Sequence, residues 1–126
     1  GARSPEPMTA LVAHRSPLVR AWLQLLLEQR GYRVEDAPDG LRALERAAVR
    51  QPCARYLLEL TLPAHGGPFV AERLTRLNGV PAAAVTYVSP RDVAAVDPAC
   101  LPVGARIVPL PLGARDLDAA LANQPT

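Results

Sequence analysis

A chain of 126 residues, 49% hydrophobic and 21% charged, is long enough for one domain with one core and too apolar for disorder. The net charge of +2 comes from fourteen basic residues, all of them arginine and spread along the chain. That pattern gives little support to a nucleic-acid surface and excludes any mechanism needing a lysine amine.

Gly1 to Pro7 lack the basic and apolar regions of a signal peptide and are read as a leader or cloning scar outside the fold. "TALVA" (Thr9 to Ala13) suits a short buried strand. Ser16-Pro17 then supplies an N-cap and first helical residue, with Leu18, Trp22, Leu25 and Leu26 marking one helical face and Trp22 expected in the core. Gly31 stops that helix. "YRVED" alternates like a strand with one wet face at a sheet edge. Asp39-Gly40 opens a second helix carrying Leu41, Leu44 and Ala48, which ends near Gln51-Pro52.

"RYLLEL" is the third strand, and Pro68 begins a helix bearing Phe69, Val70, Leu74 and Leu77, closed by Asn78-Gly79. "AAAVTY" (Ala82 to Tyr87) reads as a fourth strand, Ser89-Pro90 as another helix start, and Pro98 as the end of that short helix. "ARIVPL" is the fifth strand, and Ala114 to Ala122 the last helix, with Leu117 and Leu121 inward. One domain therefore spans 8–123, with 124–126 as a tail. Strand and helix alternate five times, which predicts an α/β fold with a doubly wound parallel sheet. Cys53 and Cys100 lie in no metal or redox spacing and are read as reduced thiols of a cytoplasmic protein.

In such sheets ligands meet the crevice beyond the carboxyl ends of the strands, where the strand order reverses. Those ends carry His14 and Arg15 after the first strand, Glu59 at the third, Thr86 at the fourth, and Leu110 with Pro111 after the fifth. Glu59 draws attention because a buried carboxylate persists only with a partner.

At the same positions the chain resembles the receiver domain of two-component response regulators. The pieces are "SPLVR" (Ser16 to Arg20), "GYRVEDAPDGLRAL" (Gly31 to Leu44), "ELTLP" (Glu59 to Pro63), "GVPAAAVT" (Gly79 to Thr86) and "GARIVPLP" (Gly104 to Pro111). Each is weak alone; five in order at the right spacing are specific. The resemblance implies a flavodoxin-like five-stranded parallel sheet with strand order 2-1-3-4-5. It also implies a phosphorylation pocket from which the working residues have gone. The two acidic residues that hold Mg²⁺ in receivers correspond to His14 and Arg15, and the phosphoaccepting Asp to Glu59. The phosphate-contacting Lys corresponds to Leu110, and the aromatic coupled to the switch Thr corresponds to Ile107. Only Thr86 keeps its type.

Phosphoryl transfer depends on cations that neutralise the transferring oxygens, and Mg²⁺ needs hard oxygen ligands. Arg15 would repel the ion, and a single imidazole makes no transition-metal site. Neither His14 nor Thr86 has a visible catalytic partner; Ser16 is explained as a helix cap and His65 as a solvated loop residue. The expectation is therefore no enzyme, no metal and no cofactor, with Arg15 reaching into the pocket to pair with Glu59. A competing arrangement turns Arg15 to solvent and His14 to Glu59.

Two functions follow as expectations. One is a phosphorylation-independent pseudo-receiver, a cytoplasmic protein–protein interaction module in bacterial signalling, with neither nucleic acid nor membrane as partner. Its face would be built from the helix after the fourth strand, the fifth strand and the last helix, including Val93, Val96, Leu101, Val103, Ile107 and Leu112. A homodimer through that face is compatible with the resemblance. The other is a small-molecule sensor that uses Arg15 to anchor an anion in the vacated pocket, and a residual phosphoacceptor role for Glu59 ranks last.

Overall fold

The structure, a computed structural model, describes residues 8–48, 53–90, 106–110 and 114–122. Five strands, β1 (Thr9–Ala13), β2 (Arg33–Ala37), β3 (Arg55–Glu59), β4 (Val85–Pro90) and β5 (Arg106–Leu110), form one sheet in the order β2-β1-β3-β4-β5. All four pairings are parallel, as the alternation of strands and helices requires. The helices are α1 (Pro17–Glu28), α2 (Gly40–Ala48), α3 (Gly67–Asn78) and α4 (Ala114–Leu121). The first seven residues, Gly1 to Pro7, lie outside the described residues.

β3 sits in the middle of the sheet and is buried along its whole length. Its side chains alternate between two cores, because successive residues of a strand point to opposite faces. Tyr56 and Leu58 pack with Val70, Leu74 and Tyr87 on one face. Leu57 packs with Val12, Leu23, Leu27 and Leu117 on the other. β2, at the edge, is more exposed and only its last residue, Ala37, is buried.

The four described α-helices lie where the sequence places them, but three of them turn a partly different face inward. α1 buries Leu23, Leu26 and Leu27, whereas Leu18 is 79% exposed, Trp22 45% and Leu25 49%. This helix is apolar nearly all round, so periodicity does not choose a face. Anchors at its first turn do: Ser16 Oγ accepts from the Val19 N–H, and Arg20 donates to the His14 carbonyl and to Asp36 on β2. Trp22 is therefore a surface residue rather than a core one.

α2 turns Gly40 and Ala43 to the core and leaves Leu41 exposed, with Ala48 exposed as well. α3 buries Gly67, Val70, Ala71 and Leu74, with Phe69 and Leu77 outside. Small residues let both helices approach the sheet closely; Leu44, Val70 and Leu74 pack inward as expected, whereas Leu41, Phe69 and Leu77 face away. The expected ending of α2 near Gln51-Pro52 falls outside the described residues.

β4 also departs from expectation. Ala82–Ala84 form a 3-10 turn, closed by the Ala84 N–H on the Pro81 carbonyl, and the strand begins at Val85. Val85, Thr86, Tyr87 and Val88 are β-branched or aromatic and suit a strand better than the alanine run before them. Ser89 and Pro90 thus belong to β4, with Pro90 opposite Leu110. The short helix expected after them lies outside the described residues, as does Cys100. Cys53 is half-buried, and its backbone N–H donates to the Tyr56 hydroxyl at 2.9 Å.

Candidate functional site

The carboxyl ends of β1 and β3 are neighbours, and the turn after β1 is held by several polar contacts. The His14 N–H donates to the Ala37 carbonyl, extending the β1–β2 pairing by one residue. His14 itself is buried, and its Nδ1 accepts the Ser16 N–H at 2.9 Å. Nδ1 as an acceptor leaves the proton of the neutral ring on Nε2. That Nε2 is buried and has no partner among the described residues.

Glu59 closes β3 and is only 3% exposed. Its Oε1 accepts the backbone N–H of Arg15 at 2.9 Å, and its Oε2 accepts Arg15 Nε at 2.7 Å. Arg15 Nη2 continues past the carboxylate to the carbonyl of Thr61, with the Thr61 hydroxyl 3.4 Å away. One arginine thus ties the end of β1 to the end of β3 and to the loop beyond it. His14 Nδ1 lies 3.9 Å from Glu59 Oε1, but both atoms act as acceptors, so this is proximity rather than a bond. Of the two expected arrangements, the structure has the one with Arg15 on Glu59.

Solvent decides what the pair contributes. The Arg15 side chain is about half exposed, so its ion pair with Glu59 is worth about 1 kcal/mol. The backbone N–H of Arg15 matters separately, because it satisfies a buried carboxylate oxygen whichever side chain stands there. Behind this contact Arg20 donates to the carbonyls of His14 and Arg15 at 2.6 and 3.3 Å and pairs with Asp36 at 2.8 Å. Nothing in the sequence spacing marks Arg20 or Thr61 as site residues.

Burial pushes the His14 pKa below its ordinary 6.5, opposed by the nearby Glu59 carboxylate and reinforced by Arg15 and Arg20. Below pH 6.5 the unfolded chain therefore binds a proton that the folded chain resists. The stability His14 contributes is complete above 6.5 and falls as pH drops through the window between 6.5 and the lowered folded value. Urea unfolding from pH 7.5 down to 5.5 should show decreasing stability. His14→Asn, whose side-chain oxygen can still accept the Ser16 N–H, should flatten that slope; an unchanged slope would remove His14 as its source.

The remaining candidate positions are more scattered. Thr86 is buried within β4, opposite Leu57, while the residue opposite Glu59 is Val88. Two residues of strand separate those levels by about 7 Å, so Thr86 is not at the strand end with Glu59. The hydroxyl residue at the carboxyl end of β4 is Ser89, also buried. The displaced start of β4 hid it in the sequence. Leu110 ends β5 and packs, half-buried, against the core shared by α1 and α4. Ile107 is 42% exposed on β5, opposite Tyr87. Pro111, Val93, Val96, Leu101, Val103 and Leu112 lie outside the described residues, so of the expected interaction face only Ile107 is placed. His65 is exposed, as expected, and stacks on Phe69 with ring centroids 4.6 Å apart.

No protein-family model matches this chain, and no curated protein matches it significantly. Solved structures do. A response regulator receiver protein from Sinorhizobium medicae superposes with a TM-score of 0.79 at 19% identity, covering 93% of each chain. The CheY-like receiver domain of a response regulator from Methylobacillus flagellatus gives 0.76 at 19% identity, over 92% of this chain and 97% of that one. The fold is that of a response regulator receiver domain. A third similar structure is the receiver domain of a sensor histidine kinase from Pseudomonas aeruginosa, with a TM-score of 0.70 at 20% identity. It covers 90% of this chain and 93% of that one and has a magnesium ion coordinated in its active-site cleft.

Within this receiver fold the β1–β3 crevice can be tested for a metal. Among the described residues no three or more His, Cys, Asp or Glu side chains are grouped to hold one. At the crevice itself the donor set is one carboxylate already engaged by a guanidinium, beside an imidazole whose acceptor nitrogen is occupied. Those residues do not fit a hard divalent cation.

Proposed function

We propose that this chain is a pseudo-receiver, a non-catalytic protein–protein interaction module whose state does not depend on phosphorylation, acting in bacterial signalling within the cytoplasm. The observation that carries this reading is the Arg15–Glu59 contact at 2.7 Å in the crevice. The Pseudomonas receiver domain coordinates magnesium in its cleft. Here the Arg15 guanidinium engages the carboxylate instead, and a guanidinium is not a metal ligand. No lysine exists to contact a phosphoryl group, and Leu110 supplies an apolar side chain at the end of β5. No helix among the described residues is long and apolar enough to cross a membrane.

The second function, sensing of an anion through Arg15, has less support. Arg15 Nε and Nη2 already donate to Glu59 and Thr61, and the Glu59 carboxylate answers the guanidinium's charge, so an anion would compete with it. Permanent mimicry of a phosphorylated aspartate by Glu59 is disfavoured for the same reason, since its charge is answered inside the crevice.

Incubation with acetyl phosphate and Mg²⁺, followed by intact-mass spectrometry, tests the proposal. The expected result is an unmodified protein, with unchanged affinity for any partner recovered by pull-down from the source lysate. Stoichiometric addition of one phosphoryl group would defeat it.

A further inference from the structure

Helix α1 carries an apolar stripe that the fold does not cover. Leu18, Trp22 and Leu25 follow one another at helical spacing and are 79%, 45% and 49% exposed. They are not the face that meets the sheet, which is made of Leu23, Leu26 and Leu27. Arg20, on the opposite flank of the helix, reaches to Asp36 on β2. From those fractions the three side chains expose roughly 350 Å², the size of the largest apolar patch on a typical monomer. Single exposed leucines need no explanation, but a contiguous patch of that size marks a contact surface.

Symmetry and charge identify what fits it. Leu18 stands three residues before Ala21, and Leu25 stands three residues after Trp22. A second α1 laid antiparallel across the stripe therefore sets Leu18 on the partner's Leu25 at both ends. Ala21 and Trp22 then meet their own copies at a two-fold axis. Charge selects the same orientation. Glu28 is exposed in the last turn of α1, where the helix dipole disfavours an acid and no basic residue answers it. The first turn, whose unsatisfied N–H groups attract a carboxylate, contains no acidic residue. Antiparallel pairing brings each Glu28 beside the partner's first turn, and parallel pairing does not. The stripe is thus complementary to itself.

We propose that two copies of this chain form a reversible antiparallel dimer through the Leu18–Trp22–Leu25 stripe of α1. A stable dimer buries about 800 Å² on each partner. The stripe with the exposed Ala21, Glu28 and Gln29 at its edges falls below that, so association is weak and concentration-dependent. The interface uses neither Arg15 nor Glu59, so it is independent of the pseudo-receiver reading. It also differs from the surface expected around Ile107.

Sedimentation velocity of the full chain between about 5 and 500 µM tests the proposal. The average mass should rise with concentration from one chain toward two. Trp22→Glu places two carboxylates at the axis and should leave a monomer at every concentration, with an unchanged circular-dichroism spectrum. Glu28→Gln should weaken association about threefold or more, because each dimer holds two such helix-end contacts. Ile107→Glu, on β5, should change nothing. In a mixture of isotope-labelled and unlabelled chains, intermolecular Overhauser contacts should join Leu18 to Leu25. A chain that stays monomeric throughout would overturn the proposal, as would a Trp22→Glu protein that still dimerises. Unchanged association of Glu28→Gln, loss of the dimer in Ile107→Glu, or contacts placing another part of the same chain over Leu18 and Leu25 would each do the same.

Discussion

Gly67→Ala should destabilise the protein by about 3 kcal/mol or more, the upper range for forcing a methyl group into a packed interior. A Cβ at Gly67 would lie 2.6 Å from the Glu59 carbonyl oxygen, 3.2 Å from Tyr87 Cδ1 and 3.3 Å from Leu60 Cα. Two of those three atoms belong to backbone at the end of β3 and cannot swing aside. The Gly67 N–H also donates to the Leu60 carbonyl, so α3 cannot back away without losing that bond. Gly40 presents the same situation for α2, where a Cβ would overlap the carbonyl oxygens of Ala64 and His65. Gly31 and Gly79 make the controls. Both have positive φ but nothing within 4 Å of the added carbon, so alanine there should cost about 1 kcal/mol from backbone strain alone. Urea denaturation of the four variants would separate the two mechanisms. A Gly67→Ala protein no weaker than Gly79→Ala would mean that α3 does not press on the end of β3.

The same glycines explain which parts of the fold were legible in the sequence. Strand and helix order, the parallel sheet and its crevice follow from alternation and topology, and each survives a rotation of any helix about its axis. Helix faces do not. Leu41, Phe69 and Leu77 drew the reading outward because they are large, whereas close approach to the sheet selects Gly40, Ala43, Gly67 and Ala71. In α1 the face is set by Ser16 and Arg20 at its first turn, and a hydrophobic pattern carries no trace of that. At the site, Arg15 and Glu59 were recoverable because opposite charges at adjacent strand ends constrain each other. Ser89 was not, because the start of β4 depends on whether Ala82–Ala84 join the strand, and a run of alanines does not decide it. The backbone N–H of Arg15, which serves Glu59 whatever the side chain, leaves no mark in a sequence at all.

Phosphoacceptance should be recoverable only by changing several residues together. Glu59→Asp alone should remain unlabelled by acetyl phosphate and Mg²⁺. The shorter carboxylate would still face the Arg15 guanidinium, which denies a metal its place and offers no coordination in return. A triple variant, Arg15→Asp with Glu59→Asp and Leu110→Lys, supplies what phosphoryl transfer needs. Two carboxylates become available to hold Mg²⁺, one of them can attack phosphorus and release acetate, and an amine at the end of β5 can meet the transferred oxygens. Leu110 is only half-buried, so the lysine stem can follow the path of the leucine while its amine reaches solvent. Intact-mass spectrometry should then show no added phosphoryl group in the wild type or the single variant, and close to one per chain in the triple variant. Rapid labelling of the single variant would mean that Arg15 does not close the site. An unlabelled but folded triple variant would mean that Arg15 and Leu110 are not what keeps the phosphoryl group out, and attention would pass to His14, buried beside the same carboxylate with its Nε2 unpartnered among the described residues.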